Sequence, residues 1–271
     1  MRKVIRASQV LRTTQRLSLC GIVCAALIAA GCSPGDKKPQ AATQPQQPVL
    51  PAFHVDPATA GSISGMIRYE GKRPAAKPID MSEDPACVAA HKGKPYDESL
   101  VTSSRGGLAN AFIWVKSGLE GKRFEVPSTP VTIDQNGCWF HPRVLGIQVG
   151  QTLQVSNSDP VTHNIHPMAQ INREWNHSQG AGDPPIDRRF LKPEVMIRVK
   201  CNIHSWMHAF IGAVDNPYFA VSKPDGAFNI PDLPPGQYTI GIWQEELGQQ
   251  ERQITVNPHV NTLVNVTLKG Q

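Results

Sequence analysis

The chain lacks most of the short signatures by which a sequence declares an enzyme. It has no Gly-x-Ser-x-Gly elbow, no His-Glu-x-x-His helix and no glycine-rich phosphate loop. It also lacks a basic field. The whole chain carries 27 Lys+Arg against 22 Asp+Glu, but five of the basic residues (Arg2, Lys3, Arg6, Arg12 and Arg16) precede Cys32. The remainder is formally neutral, which argues against nucleic acid as a partner. No segment after the N-terminus sustains an amphipathic helical period, so a helical bundle is excluded. Cysteine is scarce too: only Cys87, Cys138 and Cys201 follow Cys32.

What is present begins with an export signal over residues 1–31. The basic start leads into "LSLCGIVCAALIAA", an apolar run too short to span a bilayer comfortably but suited to a signal core. Ala29, Ala30 and Gly31 before Cys32 resemble a bacterial lipobox, with Ala29 where leucine is usual; the resemblance implies lipidation of Cys32. Ser33 after it favours the outer membrane by the same likeness. Residues 32–59, rich in Pro, Gln and Ala, read as a linker. About 210 residues are left, enough for one large or two small domains. The three remaining cysteines would stand in an oxidising compartment. Cys201 lies among other candidate ligands, so Cys87 is paired with Cys138; a free thiol or another pair is the alternative. Closing that loop would stabilise the fold by about 4 kcal/mol on the chain-entropy model.

The body reads as β throughout. Short alternating or β-branched runs such as "SISGMIRYE", "NAFIWVKS", "TLQVSN", "VMIRVKC" and "YTIGIW" are separated by "DQNG", "KPDG" and "LPPG". One set of runs, with "ISGMIRYEGKRP", "NAFIWVK" and "DGAFNIPDLPPGQY", resembles the carboxypeptidase regulatory-like, transthyretin-like β-sandwich. Asp225, Gly226, Pro235, Gly236 and Tyr238 carry the likeness. Such domains support others, so no chemistry is assigned to it.

Between its two pieces lies "CWFHPRVLGIQVGQTLQVSNSDPVTHNIHP", then "VKCNIHSWMHAF". Phe140, Pro142, Val149-Gly150, Asn157, His163-Asn164-Ile165-His166 and Cys201-x-x-His204-x-x-Met207 resemble an amicyanin- or plastocyanin-like cupredoxin. The implied fold class is all-β: a cupredoxin Greek-key sandwich over 121–215, inserted into a regulatory-like sandwich formed by 60–120 and 216–271. A tandem order is the alternative. The resemblance implies one type I copper held by His163, Cys201, His204 and an axial Met207. It also implies that the Asn164 N–H donates to the Cys201 sulfur, that Asn157 holds the loop, and that Trp206 keeps water away. Ser205 departs from the proline often found after the histidine. Zinc is the less favoured metal, with His163, Cys201, His204 and His208 as its ligands. His166, His177 and His208 otherwise read as surface or supporting histidines.

The functional expectation is a non-enzymatic, lipid-anchored carrier. It would pass electrons to another extracytoplasmic redox protein through a partly exposed edge of His204, rimmed by Trp206, Ala209 and Phe210. Copper storage or delivery, or a surface scaffold, are the alternatives. Growth of an expressing bacterium with labelled palmitate should place the label on the protein, and Cys32→Ser should abolish it.

Overall fold

The computed structural model describes residues 51–91 and 93–270; the signal, Cys32 and most of the linker lie outside the described residues. Regular structure starts with β1 (Gly61–Glu70), α1 (Pro85–Ala90), β2 (Phe112–Ser117), β3 (Val131–Asn136) and β4 (Trp139–His141). There follow β5 (Val144–Gln148), β6 (Leu153–Asn157), β7 (His163–Pro167), β8 (His177–Gln179), β9 (Ile186–Arg188) and β10 (Glu194–Lys200). The chain closes with β11 (His208–Val214), β12 (Phe219–Val221), β13 (Ala227–Leu233), β14 (Gly236–Gln244), β15 (Gly248–Val256), β16 (Asn261–Leu263) and β17 (Val266–Lys269). The described residues are therefore nearly all-β. Among them no helix is long and apolar enough to cross a membrane.

Side-chain alternation explains the layering. In β1, Ile63 and Ile67 are buried, while Ser62 and Ser64 between and beside them are half-exposed. Two sheets, β13-β1-β16 with β17 on β1 and β12-β2-β14-β15, enclose one core. Ile63, Ile113, Phe228, Ile240 and Leu268 belong to it. A second pair, β5-β11-β10-β7-β8 and β4-β3-β6-β9, encloses another. There Ile133, Leu145, Val155, Ile165 and Val199 meet.

Strand β2 is buried on both faces and joins the two pairs. Ile113 and Val115 point into the first core. Phe112 and Trp114, on the opposite face, pack with Val144 and Val214 of the second pair. Close approach there depends on two glycines. A Cβ on Gly212 of β11 would stand 2.5 Å from the Phe112 ring, and one on Gly146 of β5 would stand 2.3 Å from Phe219. Only hydrogen fits at these positions.

Some residues pack in the core of the other sandwich from the one to which the sequence-based boundaries assign them. Met81 and Cys87, assigned with 60–120 to the first sandwich, pack in the second core. Conversely, Phe124 packs in the first. The cause of the first shift is covalent: Cys87 of α1 is joined to Cys138 with an S–S distance of 2.02 Å. Cys138 sits in the tight turn between β3 and β4, where Gly137 and Cys138 have φ of 63° and 57°. Two consecutive left-handed residues are what a two-residue hairpin turn matching the strand twist requires.

A buried ion pair spans the two core systems. Arg143, just before β5, donates through Nε to Glu245 Oε2 at 2.7 Å and through Nη2 to Oε1 at 2.9 Å. Asp97 Oδ1 is 3.9 Å from Arg143 Nη2. His208 Nε2 lies 2.6 Å from the same guanidinium nitrogen and 3.4 Å from Glu245 Oε1. Burial pushes the Glu245 carboxyl up, but the bonds and charges from His208 and Arg143 win and hold it below the ordinary glutamate value. Its stabilisation is therefore complete above the unfolded value, about 4.3, and is lost as pH falls through the lower folded value. Glu245→Gln leaves the buried Arg143 with only the more distant Asp97 as counter-charge and should cost up to about 3–5 kcal/mol at neutral pH. Urea midpoints for the variant and the parent should converge as the medium is acidified below that unfolded value.

Candidate metal centre

Three groups from distant parts of the chain meet at one end of the second core. His163 opens β7, Cys201 directly follows β10, and His204 lies in the short loop before β11. All three are buried. Their candidate ligand atoms lie within 4.8 Å of one another, the reach of a single metal ion. His163 Nδ1 is 2.9 Å from His204 Nδ1, and Cys201 Sγ is 3.9 Å from the latter.

Two backbone hydrogen bonds shape the loop. The Met207 N–H donates to the His204 carbonyl at 3.0 Å, and the Cys201 N–H to the Met207 carbonyl at 3.1 Å. These bonds close the turn and carry Met207 inward, where it is fully buried in the second core. The Cys201 sulfur receives two backbone N–H groups, from His204 at 3.4 Å and Asn164 at 3.5 Å. Donors of this kind fix the position of the sulfur. The Asn164 side chain also spans the site, accepting from the Asn202 N–H at 2.5 Å and donating to Asn176.

Asn157 anchors the approach to His163. Its Nδ2 donates to the carbonyls of Val161, Gln179 and Gly180 at 2.9, 3.0 and 3.2 Å, and its Oδ1 accepts the Asp159 N–H at 3.1 Å. Trp206 lies against His204, ring centres 5.1 Å apart, with its indole N–H on the Cys138 carbonyl at 3.1 Å.

Two carboxylates that sequence reasoning missed complete the site. Asp159 Oδ2 is 2.7 Å from His163 Nε2, and Asp84 Oδ2 is 3.1 Å from His204 Nε2. A carboxylate on Nε2 takes that nitrogen's proton as its donor and leaves the Nδ1 lone pair facing the site. Two such lone pairs across 2.9 Å repel unless a cation or a proton lies between them. Burial holds the His163 ring below the ordinary histidine value, against the opposing pull of Asp159. The Asp84 carboxyl would be raised by desolvation, but the N–H groups of Cys87 and Ala86 and the ring of His204 bring it below the ordinary range.

The other sequence-highlighted histidines stay outside. His208 turns to Arg143 and Glu245. His166 lies 2.5 Å from Glu174 through Nε2. The expected exposed edge of His204 requires a correction, because the residue is only 4% exposed. Asp84 and Cys87 stand over its Nε2, with Cys87 Sγ 3.8 Å away. Ala209 is fully buried, and Phe210 packs on Trp243 instead of forming a rim. The exposed members of the loop are Asn202, Ile203 and Ser205.

No family model matches the chain, and no curated protein does. Among solved structures, part of it is similar to a copper-containing nitrite reductase from Thermus scotoductus SA-01. The identity is 24%, over 37% of this chain and 25% of that one, with a TM-score of 0.31. The chain thus spans a quarter of the reductase's length. A purple cupredoxin from Nitrosopumilus maritimus is matched at 21% identity over 31% of this chain and 98% of its own, TM-score 0.27. A mutant of amicyanin in the Cu(I) state is matched at 18% over 33% and 86%, TM-score 0.28. These are partial likenesses of fold, and the chemistry of the site rests on the chain's own residues.

Asn157→Ala strips the carbonyls of Val161, Gln179 and Gly180, the second of them buried, of their donor and frees the Asp159 N–H. It should destabilise the protein by about 1–3 kcal/mol, read from urea denaturation. The approach from β6 to β7 should exchange its amides faster than the rest of the second core.

Proposed function

We propose that this is an exported, lipid-anchored copper protein that passes single electrons through a type I site. In this reading His163, Cys201 and His204 would hold the ion, with the buried Met207 as a weak thioether donor. The observation that supports it most is the convergence of two imidazole Nδ1 atoms and one thiol in a buried pocket. Soft thiolate with paired imidazoles suits copper. The two nearby carboxylates are spent on the Nε2 atoms and leave the donor set to nitrogen and sulfur. Zinc would want a firm fourth donor. His208, which sequence reasoning offered for that place, is engaged with Arg143 and Glu245 instead.

Copper bound there would supply a one-electron couple. The chain's part is to hold the ligands still: backbone N–H groups on sulfur, carboxylates behind both rings, and Trp206 against His204. A site that does not rearrange between charge states exchanges electrons with little reorganisation. The partner would be another extracytoplasmic redox protein, with the lipid on Cys32 keeping this one at the membrane, the outer membrane by the Ser33 likeness. The first sandwich, read as regulatory-like, serves as a platform, and no substrate turnover is assigned.

Burial of His204 favours a second reading, in which copper is held or delivered without electron exchange. The full chain, copper-loaded in detergent, should show an intense thiolate-to-copper band and small EPR hyperfine splitting. Both should vanish in Cys201→Ser. A colourless protein would overturn the type I reading. Voltammetry separates the two roles: a reversible couple without metal loss supports transfer, and loss of copper on reduction supports delivery.

A further inference from the structure

We infer that Asp84 is a positioning residue of the metal centre, holding His204 in the tautomer and orientation that aim Nδ1 at the ion. The inference rests on the copper reading for its consequence, though not for its geometry. Asp84 divides its two oxygens. Oδ1 accepts the N–H groups of Ala86 at 3.0 Å and Cys87 at 3.2 Å and so caps α1. Oδ2 is left for His204 Nε2 at 3.1 Å.

A six-residue helix has little stability of its own, so the capping oxygen needs a firmer support. The disulfide provides it. Cys87 is bonded to Cys138, whose own N–H donates to Asp159 Oδ2 at 2.8 Å. Asp159 in turn holds His163. Each half of the disulfide thus donates its backbone N–H to the carboxylate behind one of the two imidazoles. The arrangement forms a closed circuit: His204, Asp84, Cys87, Cys138, Asp159, His163. The covalent bond joins the two backbone N–H donors and so limits how far the two carboxylates can separate.

A serine in place of Asp84 is a good helix cap but offers no carboxylate to His204, so it separates the two tasks. In Asp84→Ser the helix and the urea midpoint should survive while Cu(II) affinity, measured by chelator competition, falls about 10–100-fold. The reduction potential should rise, because a negative charge that favours Cu(II) over Cu(I) is gone. The ¹⁵N spectrum of the metal-free full chain should show His204 Nε2 protonated in the parent, with one proton shared between the two facing Nδ1 atoms, and a mixture of His204 tautomers in the variant. Unchanged affinity and an unchanged His204 signal in folded Asp84→Ser would overturn the inference and leave Asp84 a cap alone. If that variant does not fold, Asp84→Asn keeps an oxygen for the cap and sets an N–H against Nε2, and the same two readouts decide. Should the parent bind no copper, the copper reading fails, while the tautomer comparison still tests the Asp84–His204 contact.

Discussion

Two imidazole rings buried against one another set the terms for this end of the molecule. A buried ring must satisfy both of its nitrogens, and here the two Nδ1 atoms face each other. The Nε2 atoms must therefore be satisfied from behind, and from opposite sides. Asp159 does this from the turn after β6, and Asp84 from the start of α1. Both carboxylates are held, Asp159 because a buried charge without fixed donors is costly and the half-buried Asp84 because it also caps α1. Backbone N–H groups of Gly137, Cys138, Ala86 and Cys87 meet that requirement. The left-handed turn at 137–138, the short helix and the disulfide follow as the means of bringing those donors into place.

The same logic of shared burial holds the two core systems together. Strand β2 has no solvent face at Phe112 through Val115, so neither of its sheet's neighbours is dispensable. Gly146 and Gly212 let the second pair of sheets approach the aromatic side chains of the first. Beside this apolar contact runs the Arg143–Glu245 pair, with His208 attached. That attachment matters to the site, because His208 immediately follows Met207. An arginine and a glutamate on the seam between the cores thereby engage the last residue of the ligand loop and hold it outside the donor set.

Much of this was legible in the sequence, and the failures have physical causes. Strand runs such as "TLQVSN" and "VMIRVKC" announce themselves by alternation, which depends only on which side faces the core. The grouping of His163 with Cys201 and His204 came from a motif resemblance, and the structure brings those atoms together. Asp84 went unread although Asp84-Pro85 is a proper helix-start signal; the helix that follows is too short to leave a period. Asp159 was overlooked because its role depends on a tight turn from another hairpin. The exposure of His204 was misjudged for a related reason. A resemblance describes the loop itself, whereas the cover over it is supplied by residues 84–87, some 120 positions earlier in the chain.

That cover changes how such a centre can be approached. Where an imidazole edge lies open, a partner can touch the ligand directly. Here Asp84, Cys87 and Trp206 occupy that side, and Ala209 is sealed within the core. The loop reaches solvent instead beside Cys201, at Asn202 and at Ile203, which is 54% exposed, and at Ser205. The bonds from Cys201 to these residues are covalent backbone, and the Asn202 N–H is tied to Asn164, whose own N–H rests on the sulfur. Asn202 is thus an exposed residue joined to the cysteine both through the chain and through Asn164.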